Sequence, residues 1–96
     1  MPAAQITADD VTASLACLSD HPNSYDRQVF ETIARMGSRR SPLTCAAISV
    51  YARVSPSTTN SVLRRITRRL RQGDAPIQVT HIVRGHSFYY HLAARS

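Results

Sequence analysis

The chain has no lysine, no tryptophan, three glycines and two cysteines, and it has no acidic residue between Thr32 and Gly73. Each shortage excludes something. Two thiols, Cys17 and Cys45, are too few for a disulfide framework, and each sits among apolar neighbours on an expected helix, as inert buried thiols do. With so few glycines there is no Gly-rich phosphate loop, and no Cys or His cluster has zinc-finger spacing. His81 and His91 fall on opposite faces of an expected hairpin, so they are not a good ligand pair. No carboxylate pair marks a cleft. The reading is therefore not an enzyme, with no cofactor and no metal. No apolar run approaches the roughly 18 residues of a membrane span, and no signal peptide is visible. The expectation is a cytoplasmic protein that does not engage a membrane.

What is present is positive charge of one chemical kind. Ninety-six residues make one small domain with a net charge of +6, and all twelve cations are arginine. Guanidinium forks onto phosphates and guanine edges better than ammonium does. A GC-rich genome would also favour Arg over Lys, so the distribution carries more weight than the preference. Thr32 to Gly73 holds nine arginines and no acid, while the six acids lie at positions 9 to 31 and at Asp74. A one-signed block on a folded element is the footprint of a polyanion site.

That block contains two expected helices joined by a tight turn, within residues 44–73. Thr44 caps the first, where Ala46, Ala47, Ile48 and Tyr51 supply small and apolar contacts. Ser55 caps the second, Pro56 occupies its first position, and Gly73 stands as its stop signal. Val62, Leu63, Ile66 and Leu70 share one side at helical spacing and should pack inward. At about 100° per residue, Ser57, Ser61, Arg64, Arg65 and Arg68 point the other way, with Thr58, Asn60 and Arg71 on the flanks. Short hydroxyls and an amide come first and long cations later, which suits base edges and phosphates in turn. The bland alternative is a solvated amphipathic helix with a basic outer face.

Residues 1–6 read as a loose terminus. Thr7 can cap a helix over about 7–20, with Asp9 and Asp10 favouring its dipole and Val11, Leu15 and Leu18 as its apolar stripe. That stripe serves either to close the core or to pair two copies. His21-Pro22-Asn23 ends the helix. Asn23 or Ser24 caps another, running to about Met36, with Tyr25, Val29, Phe30, Ile33 and Met36 as its core face and Gly37 as its stop. Arg39 and Arg40 lie in a basic connector, as solvated loop charges or as phosphate contacts. After Pro76 the period changes to two. Ile77, Val79, His81 and Val83 share a strand face, Gly85-His86 makes a two-residue turn, and Phe88, Tyr90 and Leu92 return. Within this 77–92 hairpin Val83 opposes Phe88, His81 opposes Tyr90 and Val79 opposes Leu92, all on one face.

This order, with Val54-Ser55-Pro56-Ser57-Thr58, Val62-Leu63-Arg64-Arg65-Ile66, Leu70, Gly73 and the Arg84-Gly85 turn before Tyr89-Tyr90, resembles the winged helix-turn-helix family, as in multiple-antibiotic-resistance-regulator and arsenical-repressor-type proteins. The resemblance covers about residues 25–92. It implies an α+β, mostly helical fold with an extra N-terminal helix and a C-terminal hairpin wing. It also implies a second helix in the DNA major groove and a wing on the flanking backbone. By position those roles fall to Ser55, Ser57, Thr58, Asn60, Ser61, Arg64 and Arg65, with Arg84 and His86 on the wing. Arg53 stands where the family usually has a turn glycine, Ser49 replaces an alanine, and Thr59 replaces a core valine. The function implied is sequence-specific binding of double-stranded DNA by a small homodimeric repressor, or by a plasmid or phage partition or replication-control protein. A protein-interaction module is the alternative from another class. RNA binding is a third, with Tyr89 as its one visible stacking surface. The sequence identifies no small-molecule effector.

Overall fold

The computed structural model describes residues 6–21 and 24–95. The expectations placed on Met1 to Gln5, Pro22 and Asn23 lie outside the described residues. Among the described residues the order is α1 (Ala8–Leu15), α2 (Asp26–Met36), β1 (Leu43–Thr44), α3 (Cys45–Ala52), α4 (Pro56–Gln72), β2 (Ile77–Arg84) and β3 (Ser87–Ala94). The class is α+β: four helices packed with an antiparallel sheet of strand order β1-β3-β2. None of these helices is long and apolar enough to cross a membrane.

Helix starts follow the capping chemistry. Thr7 and Asp10 form a reciprocal capping box on α1. Thr44 Oγ1 accepts from the Ala47 N–H on α3, and Ser55 Oγ accepts from the Thr58 N–H on α4. The start of α2 differs from expectation. Its cap residue is Tyr25, in the left-handed region with φ 61° and no side-chain cap bond. Ser24 lies one residue earlier and accepts from the Asp26 N–H.

Two helix ends use a left-handed residue that is not glycine. Arg53 closes α3 with φ 58° and ψ 43°, the strained geometry its position in the turn implies. The Val54 N–H reaches back to the Ser49 carbonyl, and Val54 is buried. This is a Schellman closure with its hydrophobic contact. At the end of α4 the left-handed residue is Asp74, with φ 50°, not Gly73 at φ −89°. Gly73 is required for a different reason: a Cβ there would lie 2.6 Å from the Cys17 Sγ. The sequence signal was right about the residue and wrong about its cause.

One core unites the chain. Val29, Phe30 and Ile33 of α2 meet Ile48 of α3, Val62, Leu63, Ile66 and Leu70 of α4, and Ile77 of β2, all nearly without solvent contact. Leu18 joins this core, and Val11 and Leu15 pack against it. The N-terminal stripe therefore closes the core. Three residues expected inside are not there: Tyr25, Met36 and Tyr51 are exposed, and each lies at or next to an end of its helix.

The hairpin has the expected register, with Val83 opposite Phe88, His81 opposite Tyr90 and Val79 opposite Leu92. Gly85 at φ 62° supplies the turn conformation that a side chain would resist. The unexpected strand is β1, which pairs Leu43 with Tyr90 and Thr44 with Tyr89. It takes the end of the basic connector into the sheet.

Thr59 fills a valine-shaped space at zero exposure, and its hydroxyl has no partner. A buried unpaired hydroxyl costs about 1–3 kcal/mol. Thr59→Val keeps the shape and removes that group, so it should raise unfolding free energy by about 1 kcal/mol or more. Urea denaturation of the two proteins checks this. A loss of stability would mean that the hydroxyl has a partner after all.

Candidate nucleic-acid interface

The outer side of α4 is set by its inner one. Burying Val62, Leu63, Ile66 and Leu70 turns Ser57, Asn60, Ser61, Arg64 and Arg68 to solvent, and all five are exposed. Among the described residues neither Arg64 nor Arg68 has a carboxylate partner, and no ion pair there involves this ridge. The ridge is thus an uncompensated line of donors, short at its N-terminal end and long at its C-terminal end.

Two of the hydroxyls near its start are already engaged. Ser55 Oγ donates to Thr58 Oγ1 at 2.8 Å while accepting from the Thr58 N–H, and Thr58 is half-buried. These residues fix the helix start and are poor candidates for base contact. Ser57, Asn60 and Ser61 are the free polar groups of the first turns.

Arg65 corrects the sequence reading most clearly. It lies on the flank of the ridge, and its guanidinium turns inward. Nε donates to Asp26 Oδ1 at 2.8 Å, and Nη2 lies 2.6 Å from the same oxygen and also donates to the Ser24 carbonyl. Asp26 has no solvent exposure, and Arg69 Nε stands 3.7 Å from its other oxygen. Arg65 therefore neutralises a buried carboxylate. Sequence reading gave Asp26 no role, and no local signal tied it to a residue 39 positions away.

The hairpin tip belongs to the same side as the α4 ridge. His86, Ser87, Phe88 and Tyr90 line a depression of about 310 Å³ together with Asn60, Thr44, Cys45 and Ala46. Arg64 is close enough to lower the Tyr90 phenol pKa. Burial and the neighbouring Cys45 outweigh that effect and raise it overall. Burial likewise pushes the Cys45 thiol up, which keeps it protonated at neutral pH. Sequence reasoning missed Phe88 and Val83 as surface groups. They are about half exposed because the hairpin's apolar face extends beyond the body it packs on. His81 lies between Phe88 and Tyr90, with ring centroids at 5.0 and 6.0 Å. On the opposite face the Arg84 guanidinium lies over the half-buried Tyr89 ring at 5.7 Å. Arg84 itself is exposed.

Arg39 and Arg40 are exposed but placed elsewhere. They line a separate groove with residues 91–94 of β3, at the end of the strand away from the turn. At about 3.4 Å per residue, Ala94 and Ser87 are roughly 24 Å apart along β3. The structure thus sets the ridge of Ser57, Asn60, Ser61, Arg64 and Arg68 beside His86, leaves Arg84 on the other face of the hairpin, and separates Arg39, Arg40 and Arg65 from the group. No family model, curated protein or solved structure matches the chain.

Proposed function

We propose that this chain is a winged helix protein that binds double-stranded DNA sequence-specifically. In this reading α4 enters the major groove and the β2–β3 hairpin acts as the wing. One observation carries it: an exposed ridge without acids on α4 shares a depression with the hairpin tip through Asn60 and His86. The ridge supplies groups for base edges where α4 begins and guanidiniums for phosphate or guanine where it continues. Arg84 extends the cationic surface along the flanking backbone. Within this reading the protein acts as a small transcriptional repressor, or coats repeated sites in partition or replication control. Two copies on half-sites about one helical turn apart complete the proposal. Val11, Leu15 and Leu18 pack within the chain, so the proposal places the dimer contact on other surface.

Selecting bound duplexes from a random pool at low salt, then sizing the complex, tests the reading. A recurring motif is expected, and a palindromic one with two proteins per duplex establishes the homodimer. Retention of no duplex, or equal retention of all, would remove sequence-specific recognition. Preferential capture of single-stranded RNA would move the assignment to that polymer.

A further inference from the structure

A second groove lies away from the α4 ridge. It has a volume of about 1010 Å³ and lies beside the C-terminal half of β3. One wall is apolar, from Ile6 and Val11 on the α1 side and Ala34 of α2. The other carries Arg39 and Arg40.

The strand along it has an open edge. The Arg95 N–H donates to the Pro76 carbonyl, and the hairpin register then directs the main-chain groups of His91 and Ala93 towards β2. Those of Leu92 and Ala94 point the other way. β1 covers that edge only at Tyr89 and Tyr90, since its two residues are Leu43 and Thr44. Leu92 and Ala94 thus direct main-chain groups to that side about 6.8 Å apart, the two-residue repeat of an extended strand, with the Leu92 carbonyl also 3.2 Å from His91 Nδ1. Beside this edge stand two guanidiniums with no ion-pair partner among the described residues, and no carboxylate lines the groove.

We propose that this groove binds an extended acidic peptide segment of a protein partner, which adds as a strand to β3 while its carboxylates engage Arg39 and Arg40. Main-chain pairing supplies affinity and the arginines supply selectivity, as in strand addition generally. A second copy of this chain is the weaker occupant, because edge-to-edge pairing would bring four like-charged guanidiniums together. The proposal is independent of duplex binding, since the groove lies at the far end of β3 from the wing tip.

The probe is an acetylated, amidated pentapeptide alternating glutamate and valine, titrated into the full ¹⁵N-labelled chain. Saturable shifts of the Leu92 and Ala94 amides are expected. Methylating the peptide nitrogens that face the edge should abolish them. Replacing Arg39 and Arg40 together with Ala should weaken binding roughly five- to tenfold, whereas Arg64→Ala should leave it unchanged. Shifts mapping to Arg64 and Arg68 would overturn the proposal, because the peptide would then be acting as a polyanion on the α4 face. Full affinity for the N-methylated peptide would exclude strand addition. A concentration-dependent dimer that the peptide dissolves would give the edge to a second copy, and absence of any shift would leave the groove without this ligand.

Discussion

Replacing Arg65 with Met is expected to cost the fold about 3–5 kcal/mol, a large share of the roughly 5–15 kcal/mol available to a domain. Asp26 is without solvent contact. Removing its main partner leaves a buried carboxylate with only Arg69 Nε at 3.7 Å and the Ser19 N–H at 3.4 Å. The reverse change, Asp26→Asn, should cost less, about 2–3 kcal/mol. The Arg65 side chain that remains is about one-third exposed and can turn to water. Removing both, as Asp26→Leu with Arg65→Met, should recover part of the loss, since no buried charge then remains. Urea unfolding of these proteins, together with the single Asp26→Leu chain, completes the cycle. A loss below about 1 kcal/mol for Arg65→Met would show that the ion pair does not hold the fold, and would return Arg65 to the set of exposed ridge residues.

The same residue shows where sequence reasoning stops. Periodicity places Arg65 about 80° from the centre of the α4 ridge, near enough to be grouped with Arg64. Only the packing of α2 against α4 reveals that Asp26 waits on that flank. Features governed by neighbouring residues were legible: the Ser55 and Thr44 caps, the inner face of α4 and the entire hairpin register. The register was fixed because a period of two and a Gly85-His86 turn leave one pairing with all apolar residues on one face. Features governed by where an element ends relative to its neighbours were not. Tyr25, Met36 and Tyr51 have core spacing and lie beyond the core, and Phe88 and Val83 lie beyond it on the hairpin. A two-residue strand such as β1 carries no period to detect. Its pairing with Tyr89 and Tyr90 is nevertheless what sends Arg39 and Arg40 towards the base of the sheet.

Salt dependence of duplex binding is where the functional proposal makes its largest claim. If Arg64, Arg68 and Arg84 each neutralise one phosphate, log K should fall against log salt with a slope of about −3 for one copy and about −5 to −6 for a pair. A fourfold rise in salt would then weaken a dimer roughly a thousandfold. Fluorescence anisotropy on a selected duplex across a salt series measures it. Arg84→Ala should reduce the slope by about one ion per copy on any sequence. Arg64→Ala should cost about 1–3 kcal/mol on the selected sequence and much less on a scrambled one if that guanidinium reads a guanine. An equal loss on both makes it a phosphate contact. The discriminating control is Arg39→Ala with Arg40→Ala. These residues are as cationic as the ridge and belong to the same acid-free block, yet they line the groove at the base of β3. Their removal should leave the slope unchanged. If it falls as far as for Arg84→Ala, the duplex lies across the base of the sheet, and α4 is not the element that enters its groove.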